Sequence, residues 1–168
     1  MEKTTIRKYK WFWAWQDEAE EAWLREMSQQ GWHLSSVGIP TVYDFESGEP
    51  EDVVYRLDYP SYAKMDKEDY LQLFRDAGWE CVGEMSGWHY FRQQAQPGEE
   101  LEIYTDAESK IRKYQRLLVF AAILMLPLFT GMISTRGGFL FFIIAPLFLI
   151  YIYILIRIFI RINQLKRI

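Results

Sequence analysis

Residues 117–134 run for 18 positions without a charge, and residues 138–156 for 19 more, with Arg157 alone interrupting an apolar run that continues to Ile160. A helix needs about 20 such residues to cross about 30 Å of hydrocarbon. The competing reading is a buried helical pair in a soluble protein. Both stretches are apolar around their whole circumference and adjacent in the chain, so covering them would take a globular shell that a chain of 168 residues does not have to spare. The expectation is therefore a hairpin of two transmembrane helices in residues 110–168, with spans at 117–134 and 138–160.

Only Thr135, Arg136 and Gly137 separate the spans, which must turn back on each other and leave both outer ends on one side. Lys110, Arg112, Lys113 and Arg116 precede the first span, and Arg157, Arg161, Lys166 and Arg167 follow or end the second, against the single Arg136 in the turn. The bias of cationic flanks toward the cytoplasm predicts a multi-pass protein of the cell membrane, with its N-terminal domain and its C-terminus cytoplasmic. Met1 to Lys10 is polar and charged, so no signal peptide is expected there. One cysteine, Cys81, allows neither an intramolecular disulfide nor a CxxC pair, consistent with a reducing compartment. Pro127 and Pro146 sit near mid-span and are expected to bend their helices. No ionisable side chain occupies the middle of either span, which favours anchoring or helix pairing over a channel.

Charge is divided as sharply as hydropathy. All 23 acids fall in residues 1–109, where 10 Lys and Arg leave a net −13, whereas residues 110–168 hold 9 Lys and Arg and no acid. A domain this negative repels phosphate backbones, so no direct nucleic-acid contact is expected and the partner sought is a protein or a small ligand. Oligomeric state is not legible.

Within residues 1–109 a shift of 47 lays the chain over itself: Trp23-Leu24 on Tyr70-Leu71, Met27 on Phe74, Gly31-Trp32 on Gly78-Trp79 and Tyr43 on Tyr90. Each copy, 16–58 and 63–105, opens with an amphipathic helix, Asp17 to Gln30 or Asp66 to Ala77, that a glycine then stops. Strands are expected at Trp32 to Val37, Val42 to Phe45 and Val53 to Tyr59, and again at Trp79 to Met85, Trp88 to Arg92 and Leu101 to Tyr104. The intervening turns contain Gly38-Ile39-Pro40, Ser47-Gly48-Glu49-Pro50, Ser86-Gly87 and Pro97-Gly98. A further strand, Ile6 to Trp13, leads into the first helix. The predicted fold class is an α+β soluble domain of two helix-plus-three-strand repeats, arranged as a sandwich or in the ferredoxin-like split βαβ manner, followed by the all-α hairpin. Asp106 to Arg116 reads as a helical, increasingly basic connection that can run unbroken into the first span.

Sites of chemistry are sparse. His33 and His89 stand 56 residues apart with no HExxH and no pair at helical spacing, so no metal site is expected. GxGxxG, GxxxxGK[ST] and GxSxG are all absent, and no catalytic residues and no cofactor are assigned. Asp17, Glu18, Glu20 and Glu21 complement the positive end of a helix dipole. The most unusual local composition is Trp11-Phe12-Trp13-Ala14-Trp15. Trp11, Trp13 and Trp15 would share one side of an extended segment and offer a face for a ligand or partner peptide, with core filling as the simpler use of such residues.

Phe12-Trp13-Ala14-Trp15-Gln16, Gly31-Trp32-His33-Leu34, Tyr55-Arg56-Leu57-Asp58-Tyr59 and the stretch from Ala77-Gly78-Trp79 to Gly87-Trp88 together resemble the bacterial family known as domain of unknown function 2812, over residues 4–108. That resemblance implies membrane association and gene proximity to PadR-type transcriptional regulators, and it supplies no activity or catalytic residues. The expected function is that of a membrane-anchored, non-enzymatic regulatory or sensory protein, held in the lipid bilayer, whose domain binds a protein partner such as a PadR-type regulator. The alternative is an accessory subunit of a larger membrane transporter or enzyme complex.

Overall fold

The computed structural model describes residues 4–39, 41–61, 65–96, 98, 101–104, 107–136 and 138–167, with only the backbone of Ala107. Pro40, Pro97, Asp106 and Gly137, placed above in turns and at a helix start, lie outside them. Two compact units divide the chain, residues 1–103 and 104–168.

In the first unit the order is β1 (Thr5–Tyr9), α1 (Asp17–Gln29), β2 (Trp32–Gly38), β3 (Val42–Ser47), β4 (Val53–Asp58), α2 (Lys67–Asp76), β5 (Glu80–Met85) and β6 (Trp88–Gln94). The strands make two antiparallel three-stranded sheets, β1-β3-β2 and β4-β6-β5, and not the single sheet of a split βαβ fold. Val53 to Asp58, read above as the last strand of the first copy, pairs with β6 and is an edge strand of the second sheet. Leu101 to Tyr104 forms no strand; Leu101 is instead buried beside Val54 and Phe91. Each sheet thus follows the order strand, helix, strand, strand.

Leu34 faces Phe45 across the first hairpin, and Cys81 faces Phe91 across the second. The second hairpin closes through Ser86 and Gly87, one residue fewer than the first, which spans residues 39–41. Counted from these pairs, Phe45 and Phe91 hold like register positions in their hairpins, as do Tyr43 and His89, opposite Val37 and Glu84.

Both helices end at glycine as the sequence predicts. Gly31 and Gly78 have φ of +81° and +84°. At Gly78 the amide donates to the Arg75 carbonyl and the Trp79 amide to that of Phe74, both 2.9 Å, the paired bonds that satisfy the carbonyls of a terminating helix. α2 starts on Asp66, whose side chain accepts from the Asp69 amide at 2.9 Å.

The core has two parts divided by the second sheet. Leu24 and Met27 of α1 pack with Leu34, Tyr43 and Phe45 of the first sheet and with Val53, Tyr55, Leu57 and Tyr90 of the second. On the opposite face Tyr70, Leu71 and Phe74 of α2 cover Val54, Trp79 and Phe91. With apolar cover on both faces, Val53-Val54-Tyr55 reads as a continuous apolar run and not as an alternation. Each large apolar side chain so buried stabilises the fold by about 1.5–3 kcal/mol. α1 also closes the free edge of β4, where the Val53 amide donates to Ser28 Oγ at 3.3 Å and the Leu57 amide to Glu21 Oε1 at 2.8 Å. Occupied edge donors cannot recruit a further strand.

In the second unit, α3 (Ala107–Ser134) and α4 (Phe139–Leu165) pack side by side. Tyr114 meets Arg161, Phe129 meets Phe148 and Gly131 lies against Ile144, a descending series that makes the pair antiparallel. The expected basic connection forms the first turns of α3 and runs unbroken into the apolar stretch. Both helices continue through their prolines, Pro127 and Pro146. At 28 and 27 residues each measures about 40 Å, more than the hydrocarbon thickness. Both are long and apolar enough to cross a membrane, and only 11% and 0% of their most apolar windows are buried.

Candidate functional site

β2 and β5 lie next to one another as the facing edges of the two sheets. Gly83 of β5 sits against Val37 of β2: a Cβ on Gly83 would stand 2.9 Å from Val37 Cγ2, so a side chain at this position would force Val37 to shift. Toward the starts of the same strands an open cleft of about 810 Å³ separates Leu34 and Ser35 from Glu80, Cys81 and Val82. Two Gly-Trp helix stops deliver β2 and β5 to this cleft.

Its lining is polar and acidic. Glu46, Glu49 and Glu51 contribute from the first sheet and the following loop, and Glu80 from β5. Arg92 donates to the Glu80 carboxylate at 2.8 Å. His33 holds the loop through a 2.8 Å hydrogen bond between Nε2 and the Glu49 carbonyl. Gln93 lines the cleft as well, with its Oε1 buried and accepting no hydrogen bond from a described residue. Burial raises the Cys81 thiol above its ordinary value, which keeps it protonated and unreactive at neutral pH. The arrangement presents fixed negative charge and carbonyl-type acceptors, suited to holding cationic groups.

The acids of α1 divide differently from the helix-dipole account. Glu18 is exposed, whereas Asp17, Glu20 and Glu21 are buried. Glu20 Oε1 accepts from the hydroxyls of Tyr43 and Tyr90, each at 2.7 Å. Burial pushes the Glu20 carboxyl above the usual carboxylate range, against the two tyrosine bonds that lower it. Glu21 stands 3.6 Å from the Arg56 guanidinium, which also pairs with Glu102 at 2.9 Å. The spacing of Glu20, Leu24 and Met27, one helical stripe, was the signal in the sequence that these acids face inward.

His89, buried under α2, lies beside Tyr70 with ring centroids 5.4 Å apart, and its Nε2 is 3.5 Å from the Glu84 carboxylate. Burial lowers its pKa, with Glu84 acting in the opposite direction. His33 and His89 therefore serve different sheets. Among the described residues no three His, Cys, Asp or Glu side chains cluster as metal ligands would.

The tryptophans form a ladder rather than the face of a strand. β1 ends at Tyr9, short of the tryptophans; the chain then turns at Ala14-Trp15, where the Trp13 amide donates to Gln16 Oε1 at 3.0 Å. Trp11 meets Trp13 edge-on at 5.4 Å, and Trp13 stacks on Trp15 at 5.2 Å. Trp15 is buried and Trp11 exposed.

Neither a curated protein nor a solved structure matches the chain. A family model described as "Protein of unknown function (DUF2812)" matches residues 16–126, from the start of α1 into the apolar part of α3. By that match over more than half its length, the chain belongs to the DUF2812 family of proteins of unknown function.

Proposed function

We propose that this is a membrane-anchored, non-enzymatic regulatory or sensory protein whose cytosolic domain binds a basic protein partner, a PadR-type transcriptional regulator being the candidate. The observation that carries the reading is the uncovered apolar surface of α3 and α4, bounded at their outer ends by eight cationic residues against one acid among the described residues there, Glu108, which pairs with Arg112 at 2.7 Å. The acid-lined cleft between β2 and β5 supports a basic partner, since its carboxylates attract cationic side chains and repel DNA. The interior acids support a role without catalysis: Glu20, Glu21 and Asp58 are each engaged by Tyr43 and Tyr90, by the Leu57 amide, or by Tyr70. In the same proposal the domain is an internal repeat, with β1-α1-β2-β3 and β4-α2-β5-β6 as its two copies.

An accessory subunit of a larger membrane complex is the second reading, favoured by the broad lipid-accessible surface of two helices that carry prolines at mid-span. Affinity purification from detergent-solubilised membranes separates the two. Co-elution of a soluble DNA-binding protein that is lost in Glu49→Gln/Glu51→Gln supports the first. A polytopic membrane protein retained by that variant supports the second.

A further inference from the structure

Among the described residues β1 is an edge strand, paired with β3 alone, and its last residue Tyr9 lies opposite Val42. The next amide, that of Lys10, donates to the Thr41 carbonyl at 3.2 Å, which ties the departure of β1 to the β2–β3 loop. Three large apolar side chains project at this one end of the sheet: Tyr9 is 71% exposed, Trp11 59% and Ile39 75%. Trp11 meets Trp13 edge-on and Trp13 stacks on the buried Trp15, so Trp11 is the exposed end of an aromatic ladder.

The segments that carry these side chains bring lysine and not carboxylate, with the acids beginning at their borders, Asp17-Glu18 and Asp44. Residues 4–16 and 37–43 contain no acid, and Arg7, Lys8 and Lys10 lie among them. Arg7 is paired with Asp44 at 2.7 Å. Lys10 has its ammonium 4.6 Å from the Trp23 ring centroid and 5.1 Å from that of Phe12, a cation carried on an aromatic surface. A basic partner would be repelled at this end. Exposed Tyr and Trp beside lysine is the composition that sits at the headgroup level of a bilayer, rings at the hydrocarbon boundary and ammonium groups at anionic phosphates. The same chain holds the domain beside a membrane if α3 and α4 span it, so even a weak contact would be populated by effective concentration.

We propose that the Tyr9, Trp11 and Ile39 end of the first sheet is a lipid-contact surface that seats in the interfacial region of an anionic bilayer, with Lys8 and Lys10 at the headgroups. This rests on the membrane-anchored reading, and the experiment keeps the two apart. All seven tryptophans lie in the first unit, so tryptophan fluorescence reports that unit alone. The full chain is reconstituted in vesicles of phosphatidylcholine and phosphatidylglycerol, with and without bromine on the acyl chains, and co-flotation is measured alongside quenching. Brominated lipid should quench the wild type. Most of that quenching should be lost in Trp11→Phe, and it should be reduced in Ile39→Ser and in Lys8→Gln/Lys10→Gln, substitutions at exposed positions that spare the core. Co-flotation without quenching, or equal quenching in all variants, overturns the lipid contact alone. Failure to co-float removes the anchored reading and this surface with it. Fluorescence that follows the protein-to-lipid ratio and ignores bromine assigns the edge to a second copy and overturns the proposal.

Discussion

Tyr90 and Glu20 stand 70 residues apart in the chain, yet the Tyr90 hydroxyl donates to the Glu20 carboxylate at 2.7 Å. Tyr43 donates to the same oxygen, so one carboxylate on α1 joins the central strands of both sheets. Glu20→Ala would leave two buried hydroxyls without their acceptor, at a cost of about 1–3 kcal/mol each. Glu20→Gln keeps an acceptor oxygen and abolishes the titration. Because the folded pKa is raised above the ordinary 4.5, the folded state holds this proton more tightly than the unfolded chain does. The resulting stability is complete below 4.5 and is lost as pH rises through the raised value. Thermal unfolding followed by tryptophan fluorescence across that window should show this fall in the wild type relative to Glu20→Gln.

His89 works in the opposite direction. Its folded pKa lies below the ordinary 6.5, so the unfolded chain binds the proton more readily. Its contribution is complete above 6.5 and is lost as pH falls through the lowered value. His89→Gln should reduce the acid sensitivity of unfolding over that range, and an unchanged profile would exclude His89 as its source.

Trp32 and Trp79 follow equivalent helix stops, but Trp79 is buried against Tyr70 and Phe91 whereas Trp32 is half-buried at the edge of the other core. Trp79→Ala should cost about 3–5 kcal/mol, a large share of a total of about 5–15, and Trp32→Ala distinctly less. Equal shifts in unfolding temperature would contradict this difference in environment.

Local rules made much of this fold legible. Gly31-Trp32 and Gly78-Trp79 marked two helix ends because a left-handed stop is written in a few adjacent residues. The two apolar stretches identified α3 and α4 by length and composition. Pairing was less accessible, because Val53 to Asp58 has equal apolar character wherever it sits and its assignment depends on β6, more than thirty residues later. The acids of α1 illustrate the same limit. Asp17, Glu18, Glu20 and Glu21 look alike as a cluster; the stripe shared with Leu24 and Met27 separates Glu20 from the exposed Glu18, but the groups these acids meet, Tyr43, Tyr90 and the Leu57 amide, are supplied by distant parts of the chain. The cleft between β2 and β5 had no sequence signal, since it arises from how two sheets meet rather than from any motif.

The orientation of the hairpin decides which compartment holds the acidic domain and hence which partners can reach it. A cysteine placed at Thr135, in the turn between α3 and α4, and another at Ser61, in the first unit, can be compared on intact cells in a Cys81→Ser background with a membrane-impermeant thiol reagent. Central insertion of Lys or Arg costs about 2.5–3.5 kcal/mol per residue, and such residues favour the cytoplasmic flank, so the eight cations at the outer ends should remain inside. Labelling is expected at position 135, and none at position 61 until the cells are permeabilised. Labelling at 61 and not at 135 would contradict the cytosolic placement, and with it the proposed cytosolic partner.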